Sequence, residues 1–434
     1  MSSFRIKTLG CRLNQAESAT MAGGLERLGF TLADDDSVPC DVYVLHTCAI
    51  THAAELEAVR LMRHARRVLG PSAFLVATGC AVEVPGAADA FREAGADLVV
   101  RQCDKSILPD LISQARPAPL TARPGMGIPK FTTTRAILKV QDGCGFRCSY
   151  CIVPDTRGAP RSRPFEEVVS EADAVFRAGY REIVLTGVNI ACYRDRGRSL
   201  RALVEALLAL PSRAGGRLRL GSIEPATTER ELLDLAASES GLCRFFHFPL
   251  QSGSDRILRA MRRHYTAAEY EATLDAALER MPDACLGADI ITGFPGETDE
   301  DFAATRALVE RHPFGNLHVF PYSERPGTPA ATMPDSVPVA VRRTRARELI
   351  ELADATRAAF AERFAGREVE ALIERVSPDG IGTGWSGEYL ECRISGCTPA
   401  DVNTLRPMRV DSVRETILHG RFSAAVANSA PPVP

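Results

Sequence analysis

Three cysteines crowd into eight residues, Cys144-Gly145-Phe146-Arg147-Cys148-Ser149-Tyr150-Cys151, with the spacing C-x3-C-x2-C. Iron–sulfur clusters are held by thiolates, and a full set for a 4Fe-4S cluster is four. Three would leave one iron without a protein ligand, and an open iron is a place where a small molecule can bind. A zinc site lacking its fourth ligand, or three buried thiols, are the other readings of the same spacing. A second set of cysteines is spread more widely. Residues 4–9, 42–45 and 74–77 each read as a strand, and each is followed within a few residues by a cysteine: Cys11, Cys48 and Cys80. In a parallel α/β sheet the carboxyl ends of strands lie on one edge, where ligands collect. The three thiols would converge there as a second three-thiolate site. One cysteine at a strand end is most simply a small buried hydrophobe; three at equivalent positions argue for ligation.

The elements that must position these groups follow from the pattern. The cysteine loop comes after an apolar run, 137–140, that reads as a buried strand, and Gln141-Asp142-Gly143 turns the chain out of the sheet. From about 134 to 330, six strand–helix units can be traced, with strands near 136–140, 182–186, 217–221, 245–250, 286–291 and 316–320. Helical spacing lies between them, as in 165–178, where Val168, Val169, Ala172, Val175 and Phe176 share a face. This alternation implies a parallel sheet with right-handed crossovers, and six units imply an incomplete barrel whose open side admits a large substrate. Active residues are expected at the strand C-termini. Those ends carry Thr186-Gly187-Val188-Asn189, Ser222-Ile223-Glu224, Gln251-Ser252-Gly253-Ser254 and Gly293-Phe294-Pro295-Gly296-Glu297. Glycine lets backbone approach a ligand, and carboxylates and amides can hold an amine or ribose. Gly187, Glu224 and Gln251 are the candidate cofactor-binding residues. Arg157, Arg161 and Arg163, just beyond the cysteine loop, read either as surface charge or as a phosphate or carboxylate clamp.

Before this barrel, residues 1–125 read as an α/β domain. It has a helix at 14–29 ending near Gly29, and a second helix reaching about 69. The polar side of that second helix, with Arg60, Arg63, His64, Arg66 and Arg67, is either a solvated face or a phosphate contact. Residues 104–134 read as a linker. The barrel and a following helix, 339–364, complete a domain at 134–365. Short strands at 369–374 and 389–394 then predict a small β-barrel over 366–421, and 422–434 a disordered tail. The fold class is α/β with a C-terminal β-barrel.

A formal net charge of -3 over 434 residues provides no overall positive field, so an RNA partner must be held by local patches. No apolar run reaches membrane-spanning length, and Met1-Ser2-Ser3-Phe4-Arg5 does not begin an apolar secretory segment, which places the chain in the cytoplasm. Thirteen cysteines in such a chain are better read as metal ligands and buried thiols than as disulfides. Cys40, Cys103, Cys192, Cys243, Cys285, Cys392 and Cys397 are read as structural thiols.

The strand, CxxxCxxC and repeated strand–helix units resemble the radical S-adenosylmethionine (SAM) enzymes. The stretches Thr8-Leu9-Gly10-Cys11-Arg12-Leu13-Asn14-Gln15-Ala16-Glu17, His46-Thr47-Cys48-Ala49-Ile50-Thr51 and Thr78-Gly79-Cys80-Ala81 resemble the methylthiotransferases within that superfamily. His46 departs from that family's usual Asn and neighbours a ligand position. The resemblance implies two 4Fe-4S clusters, one on Cys144, Cys148 and Cys151 that binds and cleaves SAM, and an auxiliary one on Cys11, Cys48 and Cys80 that presents a methylated sulfur. It also implies a C-terminal TRAM domain, a module associated with RNA binding, although acidic residues there are at least as frequent as basic ones. The partners implied are SAM, tRNA and an unidentified electron donor, with no membrane, and the chain is read as a monomer. The runs Leu317-His318-Val319-Phe320-Pro321-Tyr322-Ser323, Gln251-Ser252-Gly253-Ser254 and Met261-Arg262-Arg263-His264-Tyr265 look most like the subgroup acting on threonylcarbamoyl-adenosine in tRNA. Isopentenyl-adenosine tRNA and an aspartate of a ribosomal protein are the family's other substrates. A non-catalytic cluster-bearing RNA-binding or redox-sensing protein is the alternative from another class.

Overall fold

The computed structural model describes residues 2–33, 39–116, 129, 131 and 133–423. By contact the chain forms two units. One comprises Met1–Thr132, Asp142–Arg161 and Ser323–Ala331, and the other Thr133–Gln141, Ser162–Tyr322 and Thr332–Pro434. The loop Cys144–Cys151 therefore groups with the N-terminal segment.

In the first unit, strands β1 (Ser3–Thr8), β2 (Thr31–Leu32), β3 (Val42–Thr47), β4 (Phe74–Gly79) and β5 (Leu98–Val100) make a parallel sheet of order β2-β1-β3-β4-β5. Every residue of β3 is buried, because helices cover both faces and alternate side chains point each way. Val42 and Val44 pack with Met21, Ala22 and Leu25 of helix α1 (Arg12–Arg27). Tyr43 and Leu45 pack with Ala58, Met62 and Ala65 of helix α2 (His52–Leu69). Thr51 caps α2 by accepting from the Ala54 amide at 3.1 Å. The expected linker begins as structure: Gln102–Ile107 is a 3-10 helix and Leu108–Ala115 an α-helix. Leu108 and Ile112 are fully buried against β1, β3 and α1, an apolar pair too short for periodicity to reveal. The rest of that segment lies mostly outside the described residues, as does the expected tail beyond Ser423.

In the second unit, six parallel strands run in chain order: β6 (Ala136–Lys139), Glu182–Thr186, Arg217–Leu220, Phe245–His247, Cys285–Thr292 and Phe314–Pro321. They form two three-stranded pieces joined by single parallel bridges, Leu218↔Leu242 and Ser222↔His247. The first and sixth strands are edges, so the expected incomplete barrel is observed. The helix Val339–Glu362 leads into a closed antiparallel-rich barrel built from Glu368–Val376, Ile381–Ser386, Glu391–Ser395, Leu405–Arg414 and Ile417–Phe422. Its interior, with Ile373, Cys392, Ile394, Met408 and Leu418, is continuous with Phe245, Cys285 and Phe360, so barrel and strands share one core.

Candidate metal centre

The adjacent strands β1, β3 and β4 end level, since the register pairs Thr8 with His46 and His46 with Thr78. Cys11, Cys48 and Cys80 follow these ends along one edge, as the strand pattern predicts. Two glycines allow the close approach. Gly10 has φ +90°, and a Cβ there would lie 2.7 Å from both Cβ and Sγ of Cys48. Gly79 has φ +107°, and a Cβ there would lie 2.4 Å from the Thr47 carbonyl oxygen. L side chains rarely adopt such φ values, so both positions require glycine. Asn14 then pins the loops together by donating to the carbonyls of Leu9 at 2.8 Å and Thr47 at 3.0 Å. Thr47 Oγ1 donates to Thr78 O at 2.8 Å and accepts from Ala81 N at 3.2 Å. Burial pushes the Cys48 and Cys80 thiols up, and the charge of Cys11 adds to each. Arg157 and Lys105 pull Cys80 the other way. Three thiols brought to one sheet edge beside two buried cations suit a group that binds thiolates.

Those cations belong to one network. Glu17 Oε2 accepts from Lys105 Nζ at 2.5 Å and from Arg157 Nη2 at 3.2 Å. Arg157 also donates to Asn14 Oδ1 at 2.6 Å and Asp142 Oδ1 at 2.9 Å. Burial works against its charge, but Glu17, Cys80 and Asp142 together hold its pKa above the usual value. His46 joins the network, with Nδ1 2.8 Å from Ser18 Oγ and Nε2 3.6 Å from Glu17 Oε2. Arg157 is thus neither the surface charge nor the clamp that the sequence allowed: its side chain is 2% exposed and engaged with Glu17, Asn14 and Asp142. It ends the short helix Val153–Arg157, so it ties the CxxxCxxC loop to the first triad within one unit. Arg161 is the one of the three that is well exposed, 3.9 Å from Asp142. Arg163 pairs with Glu171 at 2.7 Å and donates to Lys139 O.

The loop itself is held by backbone bonds. Cys144 N donates to Gly158 O at 3.1 Å, Cys151 N to Cys148 O at 3.0 Å, and Ala330 N to Ser149 O at 2.8 Å. Gly143 has φ +71°, and a Cβ there would come within 2.1 Å of Ala159 O. The Val153 amide donates to Cys151 Sγ at 3.4 Å, an arrangement that favours a thiolate.

In the second unit, the three candidate strand-end residues are each built into their turn. Gln141 Oε1 accepts from the amides of Val188 at 3.0 Å and Asn189 at 2.9 Å, and a Cβ on Gly187 would lie 2.9 Å from that oxygen. Glu224 is buried, which raises its pKa, and Arg263 Nη2 lies 2.7 Å from both its oxygens. Gln251 has φ +67°; its amide donates to Asp289 O at 2.7 Å and its carbonyl accepts from Ile291 N at 3.0 Å. Of the remaining thiols, Cys103 is exposed, which corrects its reading as a structural thiol, and Cys392 and Cys397 are buried in the barrel core. Sequence reasoning missed Asn14, Glu17 and Lys105 as supports. Asn14 and Glu17 lie three apart on the buried side of α1, which is a legible signal; Lys105 has none.

A fold of this kind with CxxxCxxC at the first strand end defines a radical SAM protein. Residues 138–309 match the model of the radical SAM superfamily, and residues 3–101 that of the uncharacterized protein family UPF0004. Among solved structures, the radical SAM methyltransferase TsrM from Kitasatospora setae superposes with a TM-score of 0.58 at 17% identity, covering 76% of this chain and 77% of that one. Proteins named threonylcarbamoyladenosine tRNA methylthiotransferase MtaB are similar along nearly the whole length. The one from Bacillus subtilis (strain 168) is 32% identical over 91% of each chain. That from Chlamydia pneumoniae is 33% identical over 97% of this chain and 98% of its own. The chain belongs to this MtaB family of methylthiotransferases. Membership brings SAM and 4Fe-4S clusters as cofactors, and the two cysteine triads are a donor set that fits such clusters. No helix among the described residues is long and apolar enough to cross a membrane.

Proposed function

We propose that this chain methylthiolates C2 of N6-threonylcarbamoyladenosine at position 37 of tRNA, next to the anticodon. The observation that carries the reading is the end-to-end similarity to relatives bearing that activity in their name, with both cysteine triads intact. When bound, two 4Fe-4S clusters and SAM supply hydrogen abstraction from an unactivated C–H bond and a sulfur carrying a methyl group, which side-chain acid–base chemistry cannot supply. Cys144, Cys148 and Cys151 would hold one cluster, the one that binds and cleaves SAM. Cys11, Cys48 and Cys80 hold the other. Gly187, Glu224 and Gln251 line the SAM side of the strand ends. The network of Asn14, Glu17, Lys105 and Arg157 fixes both triads within one unit and balances thiolate charge. The domains run 1–125, 134–365 and 366–421, the last a TRAM-like barrel. Arg161 offers an exposed charge to tRNA phosphate. The chain works as a monomer in the cytoplasm with an electron donor still to be identified.

The test is mass spectrometry of tRNA nucleosides from cells with and without the gene. The 2-methylthio derivative of threonylcarbamoyladenosine should vanish on deletion and return with the wild-type gene, but not with Cys148→Ala. Loss of methylthiolated isopentenyladenosine instead, or of a methylthiolated ribosomal protein with tRNA unchanged, would overturn the substrate and leave the radical chemistry standing.

A further inference from the structure

A cluster outside the cysteine sites has the composition and spacing of a metal site. His247 ends the fourth strand of the incomplete barrel, Asp289 lies in the fifth, Cys285–Thr292, and His318 in the sixth, Phe314–Pro321. These strands are neighbours, and their register places Asp289 opposite His318 and His247 opposite Gly287, two residues before Asp289. Period-two alternation puts Gly287 and Asp289 on one face. Gly287 leaves room there, since a Cβ at that position would lie 3.0 Å from His247 Nδ1. His247 Nε2 is 3.1 Å from Asp289 Oδ2, and His318 Nδ1 is 3.3 Å from Asp289 Oδ1. One donor atom from each residue lies within 4.8 Å of the others.

Donors bound side by side to one small cation at about 2.1 Å stand roughly 3.0–3.4 Å apart for angles between octahedral and tetrahedral. Each observed separation falls in that interval, His247 Nε2 against Oδ2 and His318 Nδ1 against Oδ1, so the carboxylate stands between the two imidazoles and offers one oxygen to each. Two imidazoles with one carboxylate form the donor set that suits divalent iron, manganese or zinc and leaves positions open. The exposure is graded: His247 is 8% exposed, Asp289 29% and His318 51%, so the site has a dry floor and an open rim. All three donors stand on strands, which position ligands more rigidly than loops.

We propose that His247, Asp289 and His318 bind one divalent first-row cation through His247 Nε2, an Asp289 carboxylate oxygen and His318 Nδ1, with the remaining coordination positions open on the His318 side to water or another oxygen ligand. The site uses none of the six cysteines and does not depend on the function proposed above. The rival arrangement is a hydrogen-bonded His–Asp–His trio that binds no metal.

Manganese(II) separates the two, because it prefers oxygen and nitrogen donors and competes poorly for thiolate. The anaerobically reconstituted holoenzyme is titrated with Mn(II), and free ion is followed by its electron paramagnetic resonance signal. The expected result is about one tight Mn(II) per chain, with affinity at least ~10-fold weaker in Asp289→Asn and in His318→Ala. Iron content and cluster absorption should be unchanged in both. His318 is half exposed, so its variant keeps the fold even if Asp289→Asn proves unstable. Absence of stoichiometric Mn(II) binding, or equal affinity in wild type and His318→Ala, would overturn the site.

Discussion

Each unit buries one carboxylate between two cations, and the two networks do different jobs. In the second unit, Glu182 accepts from Arg217 Nε and Arg219 Nε, each at 2.7 Å. The spare guanidinium donors go to barrel carbonyls: Arg217 to Glu370 at 3.0 Å and Trp385 at 2.8 Å, Arg219 to Gly387 at 3.0 Å and Ser386 at 2.9 Å. In the first unit, Glu17 lies between Lys105 and Arg157; Arg157 donates on to Asn14 and Asp142 and Lys105 to Gln102, and the charge of both cations lowers the Cys80 thiol. Burial and pairing are the same in kind. What differs is whether the spare donors meet backbone, which fastens a domain, or titratable thiols, which tunes a site. A perturbed ion pair alone does not mark function; its second neighbours decide.

The comparison is broken most severely at Glu182. Glu182→Ala leaves two buried guanidinium groups uncompensated and should cost about 3–5 kcal/mol, read by urea unfolding. Burial would raise the Glu182 carboxyl, but Arg219 and Arg217 outweigh it and depress the pKa. A depressed carboxylate stabilises the fold fully above its unfolded pKa and loses that contribution as pH falls. Stability should therefore be intact at neutral pH and decline below about 4.5, its ordinary value. Glu182→Gln should flatten that decline.

Arg157→Met should have a smaller effect on stability, because Lys105 still neutralises Glu17, and a larger one on the thiols. Without the guanidinium, the Cys80 thiol loses a cation that lowers its pKa. Alkylation of Cys80 in cluster-free protein at neutral pH should be slower than in wild type, and cluster retention poorer. An unchanged alkylation rate would place this network with the structural one.

The smallest effect is expected at Arg161, which touches neither network's core. Arg161→Ala should weaken tRNA binding and reduce the slope of log affinity against log salt by about one, with both clusters loaded. An unchanged slope would remove Arg161 from the RNA surface.

The six barrel strands, the three N-terminal strand ends and all six candidate cysteine ligands were legible because apolar periodicity and cysteine spacing are local signals. The helix at 108–115 was not, since short apolar segments declare themselves only through the core they fill. Arg157 misled for the converse reason: three arginines beyond a cysteine loop resemble a surface clamp, and only its partners Glu17 and Asn14, about 140 residues away, remove it from solvent. Lys105 and the His247–Asp289–His318 cluster depend on tertiary juxtaposition alone, so no spacing could reveal them.

The central claim, that each cysteine triad holds its own cluster, is tested most directly by iron and sulfide analysis of anaerobically reconstituted protein. Wild type should carry about eight irons per chain, and replacing Cys11, Cys48 and Cys80 by Ala should leave about four, with SAM-dependent 5′-deoxyadenosine formation still detectable. About four irons in the wild type, unchanged when those three cysteines are replaced, would contradict the account.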